Sequence, residues 1–149
     1  MDLSKITLSG VKSHQGTDSM CFTTKLKLSG KAFGSASNSG NGGCNSYWFS
    51  DKDLGNEFRA DCLKWYKKKY SESTESNPEA MDFFIASLMD AMETKKIIKR
   101  LCRKKTLFRL NTDEEGSWRT IAVPFDTRVR TFIIEKYGET VEIANEQIA

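Results

Sequence analysis

The residues of this chain that could do chemistry fall in a few short stretches. The first is Gly40-Asn41-Gly42-Gly43-Cys44. Consecutive glycines can turn backbone N–H groups into a concavity that holds an anion. The stretch matches neither a Walker pattern nor GxGxxG, and an aromatic triplet follows it where those motifs open a helix. The simpler reading is a loop whose backbone needs positive φ or a close approach to another element. Cys44 and the single histidine, His14, are the residue types of a thiolate–imidazole nucleophile. No oxyanion-hole or third-residue motif accompanies them, so no catalytic residue is assigned.

Tyr47-Trp48-Phe49 form the second stretch. Aromatic rings can stack on bases or anchor a protein interface. Three adjacent aromatics in a strand cannot all face one side, so at least one should pack inward and at least one should face out. The third stretch is the basic run Lys95, Lys96, Lys99, Arg100, Arg103, Lys104 and Lys105. It could neutralise phosphates, or simply complement the negative end of a helix dipole. Arg109, Arg119, Arg128 and Arg130 follow closely and could extend the patch. Asp113, Glu114 and Glu115 cluster in an expected turn, a poor place for the desolvated carboxyl that general acid catalysis needs. The 4 cysteines, Cys21, Cys44, Cys62 and Cys102, contain no CxxC pair. A zinc site would have to gather its ligands from distant elements, and neither a metal nor a cofactor is expected.

Local patterning sets the elements that must position these residues. Residues 3–11 read as a strand, followed by a turn at Gln15-Gly16-Thr17-Asp18. Residues 19–28 alternate strictly, with Met20, Phe22, Thr24, Leu26 and Leu28 on one face. Residues 31–38 continue as a third strand of an antiparallel meander, and the aromatic triplet is an optional fourth. Asp51 is the expected N-cap of a helix to about Tyr70, with Leu54, Phe58, Cys62, Trp65 and Tyr66 as its apolar stripe. A polar linker at 71–77 leads to the longest helical pattern, 78–104. There Asn77 is the N-cap, Pro78 the first helical residue, and a break near Thr94 is conceivable. Its apolar face is Phe84, Leu88, Ala91, Ile98, Leu101 and Cys102, widened by Met81, Ile85 and Met92.

Thr106–Leu110 and Ser117–Val123 read as a hairpin about the turn Asp113-Glu114-Glu115-Gly116. A helix over 127–137 follows, with Asp126 as N-cap and Gly138 as a left-handed C-cap, and Val141-Glu142-Ile143 closes as a short strand. The fold class is therefore α+β, in the order βββ(β)–α–α–ββ–α–β. An antiparallel meander and a second hairpin pack against a helical hairpin.

At 149 residues the chain fits one domain, 1–149, or at most two lobes divided as 1–50 and 51–149. Apolar residues at 38% and aromatics at 11% can build a core, and charged residues at 29% suit a water-facing surface. No apolar run approaches the ~20 residues that cross a bilayer, and the first residues lack a signal-peptide core, so a cytosolic location and no membrane partner are expected. The net charge of +3 neither demands nor excludes nucleic acid.

Two segments together, NGGCNSYWF and KKTLFRLNTDEEGSWRTIAVPFDTRVRTFIIEKYG with the tail EIANE, resemble small uncharacterised proteins encoded by bacteriophages, prophages and other mobile elements. The resemblance implies a bacterial cytosol and an accessory role. By analogy, such proteins bind a host factor, including host defence systems. The leading expectation is therefore a binding protein that engages a host protein or nucleoprotein complex. Its expected surfaces are the Gly40–Phe49 segment and Lys95–Lys105. Direct nucleic-acid binding through the basic run is the second expectation. The third is a small anionic-ligand binder or enzyme built on Gly40–Cys44. Nothing in the sequence sets an oligomeric state.

Overall fold

The computed structural model describes residues 1–71 and 79–148. The expected cap Asn77, the first helical residue Pro78 and nearly all of the polar linker lie outside the described residues. The chain divides into two compact units, Met1–Asp90 and Ala91–Ala149.

The first unit begins with a short 3-10 turn, Leu3–Lys5, where strand was expected. The Asp2 carboxylate accepts from the Ser4 N–H there and holds the chain out of the sheet. Four strands follow: β1 Ile6–Gln15, β2 Met20–Leu28, β3 Lys31–Ser39 and β4 Ser46–Phe49. They pair antiparallel in chain order, as the meander reading predicts. Alternation in β2 buries Phe22, Thr24 and Leu26, but Met20 is 48% exposed because it sits at the strand's open end.

Helix α1, Lys52–Tyr70, starts where Asp51 accepts from the Asp53 and Leu54 N–H groups at 2.8 and 3.3 Å. It buries Gly55, Phe58, Cys62 and Tyr66. Phe58 is the hub of this core. Its ring meets Phe33 of β3, Phe49 of β4 and Phe84 of the next helix edge-on, with centroids 5.7, 6.0 and 5.9 Å away. Edge-to-face rings at this spacing add to the burial term.

Helix α2 runs Ala80–Cys102 without a break at Thr94, about 35 Å at 1.5 Å per residue. Its buried residues, Ala80, Met81, Phe84 and Ile85, all lie in its first two turns. Ala91 and Leu101, assigned to the apolar face by spacing, are exposed.

The second unit holds β5 Thr106–Arg109, β6 Arg119–Ile121, α3 Thr127–Tyr137, β7 Glu142–Ile143 and α4 Ala144–Gln147. The strand order is β6-β5-β7, so the last strand pairs with β5 and makes a three-stranded sheet. The returning strand is shorter than the expected 117–123. Asp126 caps α3 by accepting from the Val129 N–H at 2.9 Å. Gly138 closes it with positive φ, but at φ 89° and ψ 173°, outside the left-handed helical region. Helix α4 was not anticipated from the sequence. Phe108, Ile133 and Ile143 are buried together, with Leu110, Phe125, Val129 and Tyr137 packed around them. No described helix is long and apolar enough to cross a membrane.

Candidate functional site

The glycine loop is held by its own backbone and by polar side chains. The Gly40 carbonyl accepts from the Asp18 and Ser19 N–H groups at 2.9 and 3.1 Å. The Gly40 N–H donates to Asn38 Oδ1 at 2.8 Å, and the Gly42 N–H donates to Ser19 Oγ at 3.1 Å. These are two of the amides that an anion cradle would aim outward, and both are engaged within the protein. Gly40 has φ +79°, and a Cβ there would stand 2.8 Å from the Gly16 Cα. Close approach of two backbones therefore accounts for the glycine. Asn41, Gly42, Gly43 and Cys44 are exposed.

Cys44 lies with its Sγ 3.9 Å from Glu79 Oε1. His14 stands in β1 opposite Cys21 of β2, so the strand register places a different cysteine beside the histidine. The Cys62 thiol is buried and pushed up to about 12 by desolvation, with the nearby Asp61 charge adding to the shift. Such a thiol is a packing group rather than a nucleophile. Among the described residues, no three His, Cys, Asp or Glu side chains gather closely enough to hold a metal ion.

The aromatic triplet splits as strand geometry requires. Tyr47 and Phe49 face inward with rings stacked 6.2 Å apart, while Trp48 is 64% exposed on the opposite face. The Tyr47 hydroxyl donates to Asp82 Oδ1 of α2 at 2.6 Å, and the Asn45 N–H donates to Asp82 Oδ2 at 3.0 Å. Burial, and then this bond, push the Tyr47 phenol well above the ordinary tyrosine range. Asp82 thus pins the end of the loop and the start of β4 to α2.

In the second unit, all seven basic residues of 95–105 are exposed. Lys95 and Lys99 stand on one row of α2, and Lys96 and Arg100 on the next, so the four cover an arc of roughly 140°. Arg103, Lys104 and Lys105 follow in the closing turn, where the Lys104 and Lys105 N–H groups donate to the Leu101 carbonyl at 3.0 and 2.9 Å. Among the described residues, only Lys96 of these seven forms an ion pair, with exposed Glu93 at 3.8 Å.

Three of the four arginines that follow in sequence are paired and do not extend a free patch. Arg109 pairs with Glu142, and Arg130 with Glu146 at 2.7 Å. Arg119 grips Asp113 with two bonds of 2.9 Å. That grip, helped by the Leu110 N–H, holds the Asp113 carboxyl down at about 2. Arg128 alone of the four has no ion pair among the described residues.

Asn145, unmarked by any motif, positions the basic run. It is buried, its Oδ1 accepts from the Leu107 N–H at 2.9 Å, and its Nδ2 donates to the Cys102 and Lys105 carbonyls at 3.2 and 2.9 Å. One side chain therefore closes the end of α2 and starts β5. With it, Lys99, Cys102, Arg103, Pro124, Phe125 and Ile148 line a cleft of about 360 Å³ that combines two cations with apolar side chains. Against known proteins, the chain matches no family model, no curated protein and no solved structure.

Proposed function

We propose that this chain is a binding protein that engages a host nucleoprotein complex through its nucleic acid, using the basic end of α2. Six exposed cations in Lys95–Lys105 without an ion-pair partner among the described residues carry this reading. The contrast with Arg109, Arg119 and Arg130 gives it force, because the fold uses those charges internally and leaves the helix end uncommitted. A row of cations on one helix face suits a phosphate backbone, where each neutralised phosphate releases a counterion. The adjoining cleft offers apolar walls to a base or aromatic group. The accessory role on a phage or other mobile element belongs to the same proposal and rests on the sequence resemblance.

The test is capture of partners from bacterial lysate with and without nuclease, followed by titration of purified protein with duplex and single-stranded probes. Recovery of the partner should depend on intact nucleic acid. If about four phosphates are neutralised, affinity for duplex should fall on the order of 100-fold between about 50 and 200 mM salt. Replacing Lys96, Lys99 and Arg103 together by Glu should abolish binding and leave the fold intact, since all three are exposed. A partner retained after nuclease, or binding untouched by the triple replacement, would refute the reading.

A further inference from the structure

The strand register brings together, on the outward face of the first unit's sheet, residues that the sequence scatters. Ser9, Lys25, Ser35 and Trp48 are successive cross-strand partners, so they form one row across all four strands. With strands about 4.8 Å apart, Lys25 lies roughly 10 Å from Trp48 along that row. Lys12 and Lys27 flank it, since Lys12 is opposite Thr23 and Lys27 is opposite Thr7, in the rows on either side. Thr7, Thr23, Ser37 and Ser46 share those flanking rows, and His14 and Cys21 form the next row along the same face.

The charge of this sheet is one-sided. Its four strands contain Lys12, Lys25, Lys27 and Lys31 and no acidic residue. Trp48, at 64% exposure, is the most exposed large hydrophobic residue described. It is also held in place. Its strand neighbours Tyr47 and Phe49 are locked from behind, Tyr47 by Asp82 and Phe49 by contact with Phe33 and Phe58.

From this juxtaposition we infer that the outward sheet face is a platform for single-stranded nucleic acid, on which Trp48 stacks a base and Lys25, with Lys12 and Lys27, takes the adjacent phosphates. Stacking on an open ring needs an unpaired base, which a duplex does not offer, and the cations supply the complementary charge. The serine and threonine hydroxyls between the cations supply donors to phosphate or sugar oxygens. The platform belongs to the first unit and the basic end of α2 to the second, so the two are tested by separate replacements.

The experiment is fluorescence anisotropy on the full chain at about 50 mM salt, with labelled oligothymidylate of about 15 nucleotides, an abasic strand of equal length and a duplex. Trp48→Ala should weaken oligothymidylate binding about 5- to 150-fold, the range seen when one stacked base is lost. Trp48→Phe should retain most of the affinity. Lys25→Glu should weaken binding and reduce its salt slope by about 0.7 for each lost phosphate contact. The abasic strand should bind more weakly than oligothymidylate, and duplex affinity should not respond to Trp48→Ala.

An abasic strand that binds as well as oligothymidylate would overturn the proposal. So would Trp48→Ala and Lys25→Glu proteins that bind like wild type, or no binding of oligothymidylate at all. The helix-end triple replacement separates the two readings. Loss of duplex binding there, with oligothymidylate binding sensitive only to the sheet replacements, supports both. Oligothymidylate binding lost in the triple replacement alone overturns the platform.

Discussion

Gly55→Ala should destabilise this protein, although the same change in an ordinary helix stabilises it. Gly55 lies within α1, where glycine costs about 1 kcal/mol relative to alanine. On helix propensity alone the substitution should therefore gain about that much. A Cβ at this position, however, would stand 2.6, 2.7 and 3.2 Å from Cδ2, Cγ and Cβ of Phe49. These atoms form the root and near edge of the ring, so a small swing of its tip gives no relief. The ring has nowhere to retreat. On its other edge a Cβ at Gly34 would meet Phe49 Cδ1 at 2.8 Å, and Phe33, Tyr47 and Phe58 pack around it. Overpacking of this kind costs about 1–3 kcal/mol, and a clash with two ring atoms beside a tight contact to the Phe49 Cβ belongs in the upper part of that range. Net of the helical gain, we expect a loss of about 1–2 kcal/mol. Urea unfolding followed by far-ultraviolet circular dichroism would measure it as a lower midpoint at unchanged slope. Phe49→Leu made alone should also destabilise, but combining it with Gly55→Ala should cost less than the sum, because the smaller side chain removes the clash. A Gly55→Ala protein more stable than wild type by about 1 kcal/mol would refute the packing argument, and additive effects of the pair would place the cause elsewhere.

Two further outcomes follow from single side chains. Asn145→Ala should cost about 1–3 kcal/mol by leaving the buried Leu107 N–H without its acceptor, and it should raise amide exchange at Leu107 specifically. Tyr47→Phe should cost about 1.5–3 kcal/mol, the range for a hydrogen bond to a charged group, measured in the same unfolding assay. It should also change the response to alkali. The folded chain keeps the Tyr47 proton while an unfolded tyrosine loses it near 10, so this contribution is intact below about pH 10 and falls as pH rises further. The stability gap between wild type and Tyr47→Phe should narrow above that pH, and a gap constant to pH 11.5 would contradict the assignment.

Much of the local architecture was legible from residue types because its causes are local. The period of two through β2 gives away its buried face, since successive side chains leave a strand on opposite sides. Asp51 and Asp126 mark the starts of α1 and α3 because capping needs only an acceptor within reach of the first turn. The basic run 95–105 is plain in the sequence, but whether its members share one side is settled only once α2 is known to run unbroken through Lys95–Arg100. The two aromatics facing in and one facing out at Tyr47–Phe49 follow from the same alternation as β2.

Tertiary structure decided which of these residues remain available for a partner. Arg109 and Arg130 look as free in the sequence as Lys99, yet Glu142 and Glu146 arrive from the tail to pair with them. Asn145 carries no local signal, because the three backbone groups it satisfies lie about 40 residues away in sequence. The close approach expected of the glycine loop finds its cause in the Gly16 backbone at Gly40, and the reason for the glycine at 55 appears only when the Phe49 ring is brought against it. The row Ser9–Lys25–Ser35–Trp48 exists only once three strand registers are set. Periodicity and capping act within a turn or two of chain, whereas ion pairing, close approach and cross-strand alignment join residues that only folding makes neighbours.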